Sequence, residues 1–220
     1  MKKRKAVLFD MDGLMFDTER LAVRFWKEAG EEFGLTLGDE FLLYSRGSRM
    51  EEAWKLFSRC YGEDADYLGV RAREKELFFG YLKDHEIPVK PGLYELLGWL
   101  KENGYKAVLA TSTVKEVALE YLERTGVKEY FDGFVCGDMI TKSKPDPQIF
   151  QVAAELAGCA PEECVVLEDS YNGINAAIAG GFPAVMVVDL MEPADEMRLK
   201  IRARCGSLLE VKALLEKDRI

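Results

Sequence analysis

Short uninterrupted apolar runs punctuate the chain at Ala6-Val7-Leu8-Phe9, Ala107-Val108-Leu109-Ala110, Phe134-Val135-Cys136, Val165-Val166-Leu167 and Ala184-Val185-Met186-Val187-Val188. A strand covered on both faces needs no polar alternation, so each run predicts a strand buried on both sides. Helical patterns separate most of them. Thr113 followed by Glu116 reads as a capping box that opens a helix carrying Val117, Leu119 and Leu122, and Gly126 is placed to end it in a left-handed conformation. Pro147 at a first helical position, with Asp146 as its cap, starts another through Ile149, Phe150, Ala153 and Leu156. Leu93 to Lys101 predicts a third helix, closed by Asn103-Gly104. Strands alternating with helices of this length imply right-handed crossovers and a mainly parallel sheet.

Between about Asp17 and Glu86 the pattern changes. Leu21, Phe25, Ala29 and Phe33 fall at helical spacing, followed by Trp54, Leu56 and Phe57, then Leu77, Phe78, Tyr81 and Leu82, with no convincing strand among them. A helical insertion of about 70 residues after the first strand predicts a second, smaller domain. The expected division is 1–16 and 90–220 against 17–89. Its hinges are placed at Phe16 to Thr18 and at Ile87 to Gly92, the latter stiffened by Pro88 and Pro91. The charged stretch from Glu192 to Ile220 ends in a helical pattern at Leu208, Leu209, Val211, Leu214 and Leu215. Internal repeats and low-complexity segments are absent.

Composition narrows the chemistry. In 220 residues, a 48% hydrophobic share supplies a sizeable core, and no run approaches the roughly 18 apolar residues of a membrane span. The basic start Lys2-Lys3-Arg4-Lys5 is followed by too short an apolar run for a signal peptide, so a cytoplasmic protein is expected. Thirty basic against thirty-nine acidic residues give a formal charge of −9 without a basic stripe, which argues against nucleic-acid binding. Five scattered cysteines form no Cys-x-x-Cys pair and read as reduced, mostly buried thiols. The single histidine, His85, lies in a polar stretch and reads as a solvated loop residue. Carboxylates, lysine and hydroxyls are left to carry any catalysis.

In an open parallel sheet, ligands bind beyond the carboxyl ends of the strands. Asp10, Asp12 and Gly13 follow the first apolar run, Thr111 and Ser112 the second, and Glu168 and Asp169 the fourth, while a loop after the third brings Lys144. Any one of these is unremarkable as a strand end or helix cap. Four segments in agreement point to one site. Asp10, Asp12, Glu168 and Asp169 brought together would repel one another unless a cation compensates, and hard oxygen ligands without histidine favour Mg²⁺. Mg²⁺, Lys144 and two hydroxyls are also what a transferring phosphoryl group needs, and backbone N–H groups at Ser112 and Thr113 add to it.

At these residues the chain resembles the haloacid dehalogenase-like hydrolase superfamily. Asp10-Met11-Asp12-Gly13-Leu14-Met15-Phe16-Asp17-Thr18-Glu19 is similar to its first motif, and Thr111-Ser112, Lys144-Pro145-Asp146-Pro147 and Glu168-Asp169-Ser170 with Gly173 match the other three in order. The resemblance covers essentially the whole chain and is nearest to the subfamily of β-phosphoglucomutase and small-metabolite phosphatases. It implies an α/β, Rossmann-like core, with a mainly parallel sheet and helices on both faces, and an inserted all-helical cap. It further implies that Asp10 is the nucleophile and Asp12 the general acid/base. Thr111, the Ser112 backbone and Lys144 would hold the phosphoryl group; Asp10, the Asp12 carbonyl and Asp169 would bind Mg²⁺, with Glu168 touching the metal directly or through water. Dehalogenases of the superfamily lack a carboxylate at the position of Asp12, which favours phosphoryl transfer over carbon–halogen cleavage.

The expected activity is therefore a Mg²⁺-dependent phosphatase of a small phosphorylated metabolite, a sugar phosphate foremost, in a monomeric protein that binds neither nucleic acid nor membrane. The alternative is a phosphosugar mutase, which passes the phosphoryl group to a second sugar hydroxyl. Such mutases tend to carry histidine four residues after the threonine of the first motif, where this chain has Ala22. In the cap, Arg46, Ser48 and Arg49 read either as substrate contacts or as exposed groups at a helix start, and Lys75 faces either the cleft or water. Trp26, Trp54 and Phe79 read first as core and second as pocket lining. A non-catalytic binding protein is disfavoured by the retention of Asp10, Asp12, Lys144 and Asp169. A phosphonate hydrolase would need a Schiff-base lysine among Lys27, Lys55 and Lys75.

Overall fold

The computed structural model describes residues 4–45 and 50–220. In it the five apolar runs become β1 (Ala6–Phe9), β2 (Lys106–Ala110), β3 (Gly133–Val135), β4 (Cys164–Glu168) and β5 (Ala184–Val187). A sixth strand, β6 (Ala203–Cys205), joins them in one parallel sheet of order β3-β2-β1-β4-β5-β6. The sequence pattern does not announce β6: it is three residues long, sits on the edge and carries an exposed Arg204 at its centre.

The register sets the height of everything that follows. Phe9 lies level with Leu109 on one side and Leu167 on the other, so the residues after β1, β2 and β4 emerge together. The order reverses at β1: the chain runs outward through β2 and β3, then returns to place β4 on the other side. This is the switch point at which open α/β sheets leave a crevice.

Helices α5 (Leu93–Glu102), α6 (Lys115–Arg124), α7 (Gln148–Ala157), α8 (Tyr171–Ala179), α9 (Asp195–Arg198) and α10 (Leu208–Glu216) complete this part of the chain. Ala6, Leu8, Val108, Ala110, Val166 and Met186 bury against Ile149, Phe150 and Ala153 of α7 and Ile174 and Ala177 of α8. The alternate residues Val7, Phe9, Leu109 and Val185 point to the other face, where α5 packs on β2 and α10 on β5 and β6. Both faces are covered, as the continuous apolar runs require.

Two local expectations shift. The helix after β2 begins at Lys115 with Val114 as its cap residue, so Thr113 and Glu116 form no capping box; Gly126 does close it, at φ +70°. The helix after Lys144 begins one residue later than read, at Gln148, with Pro147 at the cap position and Asp146 Oδ1 accepting the Gln148 N–H at 3.0 Å.

Residues 17–88 form a second compact unit, and 1–16 with 89–220 form the first. The second unit is helical: α1 (Thr18–Glu32), α2 (Asp39–Tyr44), α3 (Met50–Tyr61) and α4 (Tyr67–Asp84). Its core centres on Phe41, fully buried and edge-on to Trp26 and Phe57, with Tyr67 stacked on Trp26. Asp66 caps α4 by accepting the Gly69 N–H at 2.8 Å. Among the described residues, no helix is long and apolar enough to cross a membrane.

One buried group in the helical unit fits poorly at neutral pH. Glu74, on α4, is 7% exposed, and burial pushes its carboxyl up to about 7, with Lys75 and Arg71 opposing and Glu19 adding to the rise. A folded-state value above the ordinary 4.5 means that the folded chain keeps its proton where the unfolded chain releases it, so stability falls as pH rises from 4.5 through about 7. Glu74→Gln is expected to stabilise the protein by about 2–3 kcal/mol at pH 8 and to change little at pH 4, read by urea denaturation. An equal effect at both pH values would contradict this assignment.

Candidate active site

The crevice at the switch point is built by four loops. Asp10 follows β1 directly, and its N–H donates to Leu167 O at 3.1 Å, which holds it beside β4. Thr111 follows β2, with its N–H on Val135 O at 3.0 Å. Glu168 ends β4, and Asp169 is next. Lys144 comes from the long loop after β3, which Gln148 orders: its Oε1 accepts the Thr141 and Lys142 N–H groups at 3.0 and 2.8 Å. The Lys144–Pro145 peptide is cis.

Lys144 is 3% exposed. Its Nζ donates to Asp10 Oδ1 at 2.5 Å, Glu168 Oε1 at 2.8 Å and Ala110 O at 3.1 Å, so all three of its protons are used. Burial alone would lower its pKa, but the Asp10 and Glu168 carboxylates hold the ammonium above its usual range. Glu168 is equally committed. Its Oε2 accepts from the Asp169 N–H, the Ser170 N–H and the Ser170 hydroxyl at 2.9, 2.8 and 2.9 Å. Ser170 Oγ in turn accepts the Gly173 N–H at 3.1 Å as the cap of α8.

Asp10 is left short of positive charge, because it shares one ammonium with Glu168. Burial pushes its carboxyl up to about 7 against the pull of Lys144, with Glu168 and Asp12 adding to the rise. One oxygen from each of Asp10, Glu168 and Asp169 lies within 4.8 Å of the others, and all three residues are buried. Three carboxylates against one ammonium leave two negative charges, the deficit that a divalent cation fills. An all-oxygen donor set without histidine or thiolate suits a hard ion such as Mg²⁺.

Asp12 stands apart from that cluster. Its carboxylate is half-buried and accepts the Thr113 hydroxyl on Oδ2 at 2.7 Å. Burial, with Asp12 nearby, holds the Tyr121 phenol above its usual range, so the ring adds no second negative charge beside Asp12. Thr111 is buried and Ser112 exposed, on the same loop.

Asp10, Asp12, Thr111, Ser112, Lys144, Glu168 and Asp169 thus gather at one sheet edge. Arg46, Ser48 and Arg49 lie outside the described residues. Lys75 is exposed on α4. Within the helical unit Trp26 lines a cavity of about 180 Å³ with Glu19, Ala22, Ser45, Tyr67 and Arg71, and half-exposed Trp54 lines an open one of about 660 Å³ with Glu51, Lys55, Ser58 and Arg59, while Phe79 is about half exposed. His85 is exposed and stacked on Tyr81. All five cysteines are free thiols.

One buried strand-end residue escapes a reading of motifs. Asp189, just beyond β5, has a fully buried side chain that pairs with Lys90 at 2.8 Å; extending the strand-end census to the fifth run would have found it. Gly173 lies so close to Glu168 that an added Cβ would sit 1.7 Å from Oε1. Since four hydrogen bonds pin that carboxylate, Gly173→Ala is expected to displace it from Lys144, costing about 1–3 kcal/mol of stability and most of the turnover. Wild-type melting temperature and activity in this variant would show that the contact does not matter.

Comparison with known proteins finds relatives over most of the chain. Residues 4–181 match the family model of the haloacid dehalogenase-like hydrolases. The phosphorylated carbohydrates phosphatase of Thermotoga maritima is 33% identical over 186 residues, covering 82% of this chain and 83% of its own. The β-phosphoglucomutase of Bacillus subtilis is 29% identical over 191 residues, with 83% of each chain covered. Among solved structures, a putative β-phosphoglucomutase from Thermotoga maritima superimposes with a TM-score of 0.75 at 28% identity, over 97% of this chain and 99% of its own.

Proposed function

The chain belongs to the haloacid dehalogenase-like hydrolase family, and from that premise we propose that it is a Mg²⁺-dependent phosphatase of small phosphorylated carbohydrates that works through an aspartyl phosphate on Asp10. The observation that carries this reading is the buried Lys144 ammonium between Asp10 and Glu168 at the switch point of the sheet. A relative of this chain bears the name of a phosphatase of phosphorylated carbohydrates, and another that of a fructose-1-phosphate phosphatase.

Asp10 and Asp169 would hold the cation, with the Asp12 main-chain carbonyl, and Glu168 directly or through water. Bound there, Mg²⁺ supplies the positive charge that lets an anionic phosphoryl group approach a carboxylate. An Asp10 carboxylate oxygen attacks phosphorus, and the bond from phosphorus to the sugar oxygen breaks. Protonated Asp12 gives its proton to that departing oxygen, so the leaving group is an alcohol rather than an alkoxide. Asp12, now a carboxylate, then takes a proton from the water that attacks the aspartyl phosphate, releasing phosphate and restoring Asp10. Through both steps Thr111 and the Ser112 backbone hold the equatorial oxygens, and Lys144 turns the N–H that it gives to Asp10 Oδ1 onto one of them, keeping those to Glu168 and Ala110.

The mutase reading is favoured by the 29% identity to β-phosphoglucomutase. Ala22 in place of the mutases' histidine favours water as the acceptor. A panel of sugar phosphates with Mg²⁺, read for phosphate and for product identity, separates the two. Free phosphate in step with the dephosphorylated sugar is expected. Glucose 6-phosphate formed from β-glucose 1-phosphate without matching phosphate would establish the mutase. Asp10→Asn is expected to lower turnover by about a thousandfold or more with unchanged circular dichroism; wild-type rates in that variant would contradict the assignment of the nucleophile.

A further inference from the structure

We propose that Thr113 is a positioning residue that sets the acid/base carboxyl of Asp12 and the phosphoryl-binding hydroxyl of Thr111 together, an inference that rests on the phosphatase reading above. Three contacts carry it. The Thr113 hydroxyl donates to Asp12 Oδ2 at 2.7 Å, across 101 positions of sequence. The Thr113 N–H donates to Thr111 Oγ1 at 3.1 Å. The Thr113 carbonyl accepts the Gly137 N–H at 2.9 Å.

Each contact has a chemical consequence. By accepting from Thr113, Thr111 Oγ1 has a lone pair engaged on the loop side, and its own proton is directed away, free to donate to an anionic oxygen. By donating to Oδ2, Thr113 fixes the rotation of the carboxyl with which Asp12 exchanges protons with the leaving group and the water. The loop itself has little freedom. Gly137 packs so tightly that an added Cβ would lie 2.1 Å from Ser112 O, and the β-branch of Thr113 restricts its own χ1. A capping threonine would turn its hydroxyl toward the helix that follows it; this one is spent on the nucleophile's loop instead, and α6 starts at Lys115 with Val114 at the cap position and no side-chain cap.

Thr113→Val keeps the shape, the β-branch and the backbone N–H and removes only the hydroxyl. Thr113→Ser keeps the hydroxyl. The probe is p-nitrophenyl phosphate in Mg²⁺ buffer, whose leaving group departs without a proton, so phosphorylation of Asp10 does not need Asp12 while hydrolysis of the phosphoenzyme does. For Thr113→Val, steady-state turnover is expected to fall about ten- to a hundredfold, while the first turnover, read by rapid mixing, stays within about threefold of wild type. Thr113→Ser is expected to recover most of the steady-state rate. Equal slowing of both phases in Thr113→Val, a steady-state rate within twofold of wild type, or a Thr113→Ser as impaired as Thr113→Val would each overturn the proposal. Asp12→Asn is the control that tells the two levels apart. If it leaves hydrolysis of the phosphoenzyme unchanged, the role of Asp12, and the function built on it, is what fails. If it slows hydrolysis while Thr113→Val does not, only the role of Thr113 fails.

Discussion

The site depends on one buried ammonium. Lys144 ties together two carboxylates that arrive from different strands, Asp10 after β1 and Glu168 at the end of β4, and a third contact to Ala110 O fastens it to β2. An ion pair this deep stabilises a fold weakly, because the desolvation of its members offsets most of their attraction. Its worth lies in geometry. It holds a buried carboxylate with incomplete charge compensation, the condition that would favour a divalent cation and, with it, a phosphoryl dianion. A chain of net charge −9 would otherwise repel such a substrate, so the positive charge has to be local to the crevice.

Around that ammonium the fold supplies placement. Register between β1, β2 and β4 brings the strand ends to one level, and the reversal of strand order opens the crevice between them. Glycine supplies the close approaches: without side chains at Gly173 and Gly137, α8 and the loop after β3 can come within contact distance of Glu168 and Ser112. The proposed chemistry then needs few moving parts in this half of the molecule, since the residues assigned to the phosphoryl group sit at strand ends or, for Lys144, on a longer loop that the Gln148 side chain pins.

Much of this was legible in the amino-acid sequence, for a physical reason. A sheet covered on both faces forces continuous apolar runs, and the first polar residue after such a run stands at the carboxyl edge; Asp10, Thr111 and Glu168 could be found by that rule alone. The rule fails where burial is partial. β6 is a three-residue edge strand around an exposed arginine, and α9 is a single turn of four residues, so neither leaves a periodic signature. Thr113 shows a second kind of failure. Its spacing to Glu116 is the local signature of a cap, yet a hydrogen bond to Asp12, distant in sequence and adjacent in space, takes the hydroxyl instead. In the helical unit, periodicity located α1, α3 and α4 but did not orient their faces, which is why Lys75, Trp54 and Phe79 were open to two readings.

The central claim is that Asp10 carries the phosphoryl group in a Mg²⁺-dependent site. Beryllium trifluoride mimics an aspartyl phosphate without turning over, so the most direct measurement is fluorine NMR of the protein with BeF₃⁻, with and without Mg²⁺, in wild type and Asp10→Asn. Bound fluorine resonances are expected in the wild type only when Mg²⁺ is present, and none in Asp10→Asn. The same resonances in Asp10→Asn, or none in the wild type with Mg²⁺, would contradict it.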